Sequence, residues 1–381
     1  MTPVKVLAIP RDPTPYQELL YQALRRRGAA VRYAGTLTGS RSVNLLALPL
    51  ELLVMRLRGY RIFHLHWTFG FIFPIPIAQA KRISRMWFTV VLHIARSLGF
   101  GVVWTAHNVL PHDPVFDDDV KARRTLVGCS DLVIAHSASA IDGLAALGAR
   151  PSSTAIIPHG PISPPELQRL PPPEAGQPRT IAFVGRIAPY KGLEDLVAAL
   201  EGLEAPLRVV VAGACSDPEL IDRLMRAAAE LEPVLELSLG YVPDSELIRL
   251  LGCADALVFP FRTITTSGSV MLGLAAGRAV IVPDLPAFAE LPDEALIRYP
   301  AGRAGLRSAL SEVAQMPAEA LLRRGAAARA AATLDSWEEI AARTELAFEA
   351  ARRRQSRLER GWRRVRGVSA RRRPSVADRQ P

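Results

Sequence analysis

Short apolar runs of strand length alternate with helix-like segments along most of the chain. In the first 160 residues these runs are VKVLAI, RIFHLHW, GVVWTAHN, DLVIAHS and TAIIPHG. After residue 179 the pattern starts again with TIAFVGR, RVVVAGA, VLELSLG, ALVFPF and RAVIVPD. Runs that are apolar throughout are typical of strands buried on both faces of a parallel sheet. The sequence therefore predicts an α/β protein with two doubly wound, Rossmann-like domains that face a cleft.

The two series are separated by a proline-rich stretch without periodicity, GPISPPELQRLPPPEAGQPR. This composition is typical of an interdomain linker, and a length of 381 residues favours two domains. The predicted organisation is a first domain over 1–160, a linker over 161–179, a second domain over 180–334, a C-terminal helix over 335–351 and a basic, disordered tail over 352–381.

The positive charge of the chain is concentrated in that tail. From residue 352 onward, twelve arginines stand against Glu359 and Asp378, an excess of ten that equals the net charge of the whole chain. Such a tail could bind an anionic membrane surface, at about 1 kcal/mol per cation, or stay solvated. Nucleic acid is not an expected partner, because the body of the chain is neutral and Trp362 is the only aromatic residue of the tail.

All seven histidines lie in the first domain, and five of them close or follow predicted strands. Ligands of open parallel sheets bind beyond the carboxyl ends of the strands, so these imidazoles are predicted to face the cleft. Structural histidines bonded to loop backbone are the alternative. A metal site is the weaker interpretation, because no acidic residue joins His64 and His66 at ligand spacing. Neither a metal nor another cofactor is predicted.

Two loops at predicted strand ends of the second domain carry groups suited to phosphate. In VGRIAPYKG, Arg186 and Lys191 lie between a strand and a helix, where two fixed cations suit a diphosphate. In ITTSGSVML, Ser267, Gly268 and Ser269 offer N–H groups and hydroxyls to an anion. Solvent-exposed loop charges and an N-capping turn are the respective alternatives. Because both loops leave the same predicted sheet, a phosphate site is favoured.

Four longer segments, taken in order, resemble a known family. The segments FVGRIAPYKGLEDLVAAL, GYVPDSELIRLLGCADALVFPF, SGSVMLGLAAGRAVIVPDLPAFAEL and SWEEIAARTELAFE are together similar to glycosyltransferases of the GT-B fold, close to the group 1 or family 4 type. The resemblance implies transfer of a sugar from a UDP- or GDP-sugar, without a metal ion. The acceptor, a glycan or lipid-linked saccharide, would be held by the first domain, to which the helix over 335–351 would return.

The resemblance also implies roles for individual residues. Arg186 and Lys191 would clamp the donor diphosphate as catalytic cations, and His107 would lie against the donor sugar near the reacting carbon. An inverting enzyme also needs a base for the acceptor hydroxyl, for which His107, Asp113 and Asp12 are candidates, whereas a retaining enzyme could use the leaving phosphate. The donor-binding set is Gly185, Arg186, Lys191, Tyr241, Val242, Thr266, Ser267, Gly268 and Ser269, with Tyr241 and Val242 beside the nucleobase. The acceptor-binding set is Asp12, Tyr16, His66, Trp67, His107 and Asn108.

The chain departs from the family pattern at the family's paired glutamates, which would fall near Ile264 and Leu272. Neither residue is acidic, and the sequence resembles those members that carry a turn rich in serine and glycine instead. The ribose and sugar contacts of the glutamates are therefore unassigned, and retention of the anomeric configuration is not assumed. The alternatives are an inactive nucleotide-sugar-binding protein and a sugar-nucleotide epimerase of similar architecture, which would need carboxylates in the cleft.

No apolar run reaches the roughly 18 residues that a membrane-spanning helix needs. Residues 75–99 mix cations with Trp87, Phe88 and aliphatic residues at helical spacing, so they could rest on a bilayer and receive a lipid-linked acceptor, or pack on the sheet. The N-terminal apolar run is too short for a signal peptide. The expected location is the cytoplasm, with association to the inner face of the membrane as a peripheral protein left open.

Overall fold

The computed structural model describes residues 3–12, 15–74, 79–161, 165–171 and 178–370, without the side chains of 165, 168 and 356–370. This part of the chain forms two units. The first takes in the residues up to Ile157 together with those from Ala341 onward, and the second is Pro158–Ile340.

The first unit is built on six parallel strands in the order β2-β1-β3-β4-β5-β6. Every residue of β3, β4 and β5 is buried, which explains why these segments are apolar throughout. The chain begins at β1, adds β2 on one side of it, and then crosses over to place β3 on the other side. The strands are β1 (Lys5–Ile9), β2 (Ala30–Tyr33), β3 (Ile62–Leu65), β4 (Gly101–Ala106), β5 (Leu132–Ala135) and β6 (Thr154–Ile156).

Helices connect these strands, and polar residues mark where they begin. The side-chain oxygens of Ser40, Asp118 and Ser137 accept hydrogen bonds from N–H groups in the first turns of α2, α4 and α5. The helices are α1 (Pro15–Arg26), α2 (Arg41–Leu57), α3 (Ala80–Ser97), α4 (Asp119–Cys129) and α5 (Ala138–Ala146), with a 3-10 turn at Phe69–Phe71.

The second unit repeats the architecture with six parallel strands in the order β12-β11-β10-β7-β8-β9. The strands are β7 (Arg179–Val184), β8 (Leu207–Gly213), β9 (Leu235–Leu239), β10 (Ala256–Val258), β11 (Ala279–Pro283) and β12 (Leu296–Tyr299). Helix α13 begins in the second unit and runs on into the first, and 3-10 turns lie at Pro189–Lys191 and Pro286–Phe288. The helices are α6 (Pro165–Gln168), α7 (Leu193–Leu200), α8 (Pro218–Glu230), α9 (Asp244–Cys253), α10 (Gly268–Ala275), α11 (Arg303–Gln315), α12 (Ala318–Ala332) and α13 (Trp337–Ala370).

The predicted fold class, two doubly wound α/β domains, is confirmed. In the second unit the chain enters at β7, winds outward to β9, and returns to place β10 on the other side of β7. The loops that leave β7 and β10 therefore diverge at a topological switch point, which is where ligands of such sheets bind. This point positions the two predicted phosphate loops.

Two predictions about the segments between and beyond the domains need correction. Residues 352–370, predicted as part of a disordered tail, continue α13, because arginine favours helix and the first proline of the tail is Pro374. Residues 371–381 lie outside the described residues. Within the predicted linker, α6 forms a short helix and β7 already begins at Arg179, while 162–164 and 172–177 are not described.

Among the described residues, no helix combines the length and the apolar character needed to cross a bilayer.

Candidate functional site

The loop after β7 and the turn before α10 touch each other at the carboxyl edge of the second sheet. Gly185 follows β7 with φ 134°, and a Cβ at this position would lie 2.5 Å from Oγ of Ser269. Gly192 has φ 72°, and a Cβ there would overlap the carbonyl oxygen of Pro260. Both positions favour glycine through their backbone angle and through the space available. The two predicted phosphate loops are therefore adjacent.

Lys191 has a buried side chain although it carries an amine. It ends the turn Pro189–Lys191 and is only 6% exposed. Its Nζ lies 5.3 Å from the ring centroid of Tyr190 and 4.6 Å from that of Phe261. Desolvation, and after it the positive charge of Arg186, lowers the pKa of Lys191 from 10.5 to about 8. A bound phosphate would favour the charged amine, so this environment suits an anionic ligand.

Arg186 lies in the same loop and is exposed. The alternative of a solvent-exposed loop charge therefore describes Arg186, but it does not describe Lys191. The loop thus offers one accessible guanidinium and one desolvated amine to a ligand.

The turn at 266–269 leads from β10 into α10. The side-chain oxygen of Ser267 accepts a hydrogen bond from the N–H of Val270 at 3.2 Å, so Ser267 is the N-cap that the alternative interpretation expects. The N–H groups of Gly268 and Ser269 belong to the first helical turn, where no intrahelical acceptor exists. Oγ1 of Thr266 is buried, and no partner for it occurs among the described atoms. The turn therefore combines a filled cap with further donors for an anion.

The remaining donor-side residues lie at other points of the second sheet. Tyr241 and Val242 follow β9, which is the edge strand next to β8. The side chain of Tyr241 is 84% exposed, whereas Val242 packs against Val210 and Leu250. Their place beside a nucleobase stays a prediction.

Apolar side chains occupy the two positions that correspond to the family's paired glutamates. Ile264 and Leu272 are partly buried and pack against the apolar core of the second unit. No charge at these two positions would oppose an anion bound by the neighbouring turn.

Four histidines of the first unit form one buried, hydrogen-bonded series. Nδ1 of His136 lies 2.9 Å from the carbonyl oxygen of Ile157, and its Nε2 lies 3.2 Å from Nδ1 of His107. Nε2 of His107 lies 3.0 Å from Nδ1 of His66. Because His66, His107 and His136 directly follow β3, β4 and β5, their hydrogen bonds link the ends of three neighbouring strands.

The series continues from His66 into the sheet through a tyrosine of α1. The hydroxyl of Tyr21 lies 2.7 Å from Nε2 of His66 and 2.8 Å from Nδ1 of His64. Nε2 of His64 lies 2.8 Å from Oγ1 of Thr105 on β4. We call these residues, from Thr105 to His136, the histidine chain.

Burial keeps the imidazoles of His64 and His66 neutral. Desolvation lowers the pKa of His64 to about 3. The pKa of His66 is also well below its ordinary value, because of desolvation and then of the neighbouring His64 and His136. The rings of His64 and His66 therefore carry one proton each, and each of these two rings has one nitrogen that donates and one that accepts.

Several predicted acceptor-binding residues gather around the histidine chain. The ring of Trp67 stacks on His107 at 4.1 Å, and the ring of Tyr16 meets His107 edge-on at 4.8 Å. Asp12 follows β1, and its backbone N–H donates to Gln17. The structure thus brings Tyr16, His66, Trp67 and His107 into contact.

Asn108 and Asp113 lie in the loop between β4 and α4. Asn108 is partly buried next to His107, whereas Asp113 is exposed further along the loop. The structure does not show Asp113 in the histidine chain, so its part as a base stays a prediction.

Sequence reasoning missed Tyr21, Thr105 and His136 as members of this cluster. His136 was visible as a histidine at a strand end, in AHS, but Tyr21 belongs to a helix and carries no motif. Among the described residues, no group of three or more histidine, cysteine, aspartate or glutamate residues has an arrangement that could hold a metal ion.

The second unit matches a known sequence family. Residues 178–316 match the family described as Glycosyl transferases group 1. Two relatives from Xanthomonas campestris pv. campestris, both named GDP-mannose:glycolipid 4-beta-D-mannosyltransferase, are 25% identical over 239 residues and 26% identical over 230. These alignments cover 62% and 60% of this chain, and 65% and 62% of the relatives, so the chain spans somewhat less than two thirds of the relatives' length.

Solved structures share the fold of both units. Sucrose-phosphate synthase from Thermosynechococcus elongatus superposes with a TM-score of 0.69 at 16% identity, over 91% of this chain and 98% of the other. HepE of Anabaena, in complex with UDP and glucose, gives a TM-score of 0.65 at 13% identity, over 91% and 100%. A glycosyltransferase from Rickettsia africae gives 0.66 at 14% identity, over 92% and 99%.

We predict that Gly192→Ala destabilises the second unit more than Gly202→Ala does. Both glycines have positive φ, 72° and 65°, but only at Gly192 would a Cβ meet another group, the Pro260 carbonyl. The added clash should lower the free energy of unfolding by about 1–3 kcal/mol beyond the loss in the Gly202→Ala control. Urea unfolding of the two variants measures this difference, and equal losses would contradict the contact between the loop and β10.

Proposed function

We propose, from the premise that this chain has the GT-B fold and carries a group 1 glycosyltransferase domain, that it is a glycosyltransferase. It moves a sugar from a nucleoside-diphosphate donor to a saccharide or lipid-linked saccharide. The observation that carries the proposal is the contact between the two phosphate-suited loops, in which Gly185 allows Ser269 to approach the loop of Arg186 and Lys191.

Departure of the nucleoside diphosphate leaves negative charge on the β-phosphate. Arg186 and Lys191 supply positive charge to this group, and the N–H groups of Gly268 and Ser269 supply fixed dipoles. Because burial has removed water from the charged Lys191 amine, the bound phosphate stabilises that charge and gains a partner that water screens little. These groups do the work that a metal ion does in other transferases, and we propose that the reaction is independent of metal.

The donor and acceptor are proposed from the named relatives. A GDP-sugar is the first candidate, because both sequence relatives are named for GDP-mannose. A UDP-sugar is the second, because the structure of HepE contains UDP. A glycolipid acceptor agrees with the names of the same sequence relatives, and we assign its binding to the residues around the histidine chain in the first unit.

One observation supports a second candidate, a protein that binds a nucleotide sugar without transferring it. Ile264 and Leu272 replace the two carboxylates by side chains that cannot hydrogen-bond to a sugar. Such a protein would keep the phosphate cradle and lack turnover.

The proposed function is tested by transfer of labelled sugar. The purified chain is incubated in detergent with bacterial lipid extract and either GDP-mannose or UDP-glucose, each labelled in the sugar, with chelator present. We expect label in the lipid fraction with one donor, and at least about a tenfold lower kcat/KM, or 1.4 kcal/mol, for Arg186→Ala.

Arg249→Ala is the matched control, since Arg249 is an exposed arginine of the same unit that pairs with Glu246 on α9. It should keep the wild-type rate. Donor binding without label transfer would support the second candidate, and equal rates for the two arginine variants would contradict the role of the cradle.

We also propose that α2 and α3 rest on an anionic membrane surface, where a lipid-linked acceptor is found. The outer face of α2 carries exposed apolar side chains, 42% to 80% exposed. That of α3 carries Ile83, Met86 and Val90, while its other face packs in the core through residues such as Phe88. The apolar residues on α2 are Val43, Leu46, Leu50, Leu53 and Leu57.

The two faces and their charges fit such a surface. The indole of Trp87 on α3 donates to the carbonyl of Leu45 on α2 at 2.9 Å, which joins the helices. Glu51 is the only acidic residue of either helix, and it is buried, where it accepts from the N–H of Gly35. Arg85 and Arg96 pair with Asp117 and Asp131, and the other cations of the two helices are Arg41, Arg56, Lys81 and Arg82. An exposed apolar face flanked by cations is typical of helices that bind anionic lipid.

A double variant tests this surface. Leu46→Asn with Leu50→Asn should lower partitioning onto vesicles of phosphatidylcholine and phosphatidylglycerol by about tenfold or more, because burial of a leucine is worth about 1.5–3 kcal/mol. Leu346→Asn changes an equally exposed leucine on α13 and should bind as the wild type does. Sedimentation with the vesicles measures the bound fraction, and equal binding of the double variant and the control would contradict the assignment.

A further inference from the structure

The histidine chain ends at an acceptor that can never donate. The carbonyl oxygen of Ile157 has only lone pairs, so Nδ1 of His136 must carry the proton of that hydrogen bond. A neutral His136 then accepts at Nε2, and Nδ1 of His107 donates to it. By the same rule Nε2 of His107 accepts, and Nδ1 of His66 donates.

The polarity passes through the tyrosine without a break. Nε2 of His66 accepts from the hydroxyl of Tyr21, whose oxygen accepts from Nδ1 of His64. Nε2 of His64 then accepts from the hydroxyl of Thr105, which can turn to donate. With all four imidazoles neutral, one backbone carbonyl thus fixes them as Nδ1–H tautomers, and each hydrogen bond of the series contains one proton.

We propose that His136 is a positioning residue for His107: it locks His107 as the Nδ1–H tautomer, and it receives the proton that His107 passes on during transfer. The inference rests on the proposed function, since it assigns His107 to the acceptor hydroxyl. The tautomer lock is the part of the proposal that concerns the protein without substrate.

The proton step follows from the same connections. The acceptor hydroxyl takes the place of the His66 N–H at Nε2 of His107, as the Tyr21 hydroxyl already serves Nε2 of His66. Its oxygen bonds to the sugar carbon, the bond from that carbon to the β-phosphate breaks, and the nucleoside diphosphate leaves with the electron pair. The hydroxyl proton passes to Nε2 of His107, and the Nδ1 proton of His107 passes to Nε2 of His136.

His136 ends this step as an imidazolium that still donates to the Ile157 carbonyl. The charge has therefore moved one residue away from the reacting hydroxyl, while His107 is neutral again with its proton on Nε2. The starting state is restored when the proton on Nε2 of His136 returns to Nδ1 of His107 and the proton on Nε2 of His107 leaves.

The lock is tested on the wild-type chain by NMR of 15N-labelled histidine. Long-range 1H–15N spectra at pH 7 should show four neutral imidazoles of the Nδ1–H form, assigned through the loss of signals in single variants. Signals of the Nε2–H form, of averaged tautomers or of imidazolium from His66, His107 or His136 would overturn the lock. This measurement needs no substrate.

The relay is tested with His136→Gln, whose amide can accept from His107 Nδ1 but cannot take up a proton. We expect His107 to stay in the Nδ1–H form, kcat to fall at least about tenfold, and the KM for the donor to change less than twofold. The control is His93→Gln on α3, where Nδ1 of the exposed His93 likewise lies 2.8 Å from a backbone carbonyl oxygen, that of Thr89, and this variant should keep the wild-type kcat. An unchanged kcat in His136→Gln would overturn the relay.

The two proposals fail in different ways. A wild-type chain with the expected histidine spectrum but no sugar transfer would overturn the proposed function and the relay with it. A chain that transfers sugar but shows other tautomers would overturn this inference alone.

Discussion

The close approach of the β7 and β10 loops is the constraint on which the candidate site depends. Parallel strands deliver their following loops to one edge, but loops that carry side chains keep each other at a distance. Here Gly185 and Gly192 remove that obstacle, so that Ser269 and the Pro260 carbonyl lie directly against the β7 loop. The cations of one loop and the helix N-terminus of the other are thereby adjacent within a single unit.

Both units use burial to hold polar groups in a defined state. In the second unit, desolvation lowers the pKa of Lys191 to about 8, so the amine is charged at neutral pH but lacks the hydration that a bound anion would replace. In the first unit, desolvation of His64 and His66 favours the neutral form, and hydrogen bonds then select one tautomer. Preorganised charges and dipoles cost no reorganisation when a ligand arrives, which is the property that transfer chemistry needs.

The sequence predicted those parts of the fold in which burial determines the local composition. Strands buried on both faces, such as β4, were apparent as apolar runs, whereas the edge strands β2 and β12 are short and hold Arg32 and Arg298, so they gave no such signal. The two loops that are predicted to bind phosphate were apparent from glycine, serine and cations at strand ends, and the structure shows that they are adjacent. The burial of Lys191 and the membership of Tyr21 in the histidine chain were not apparent, because both depend on contacts between segments that are distant in sequence.

The most direct test of the phosphate cradle is the affinity of GDP and UDP as a function of pH, measured by calorimetry without divalent metal. If the buried amine of Lys191 binds the diphosphate, affinity should be constant below a pH of about 8 and fall by up to about tenfold per pH unit above it, because the free lysine loses its proton there. In Lys191→Gln the affinity should be lower and this fall should disappear. Binding of neither nucleotide, or an affinity that does not change between pH 7 and 10 in the wild type, would contradict the account.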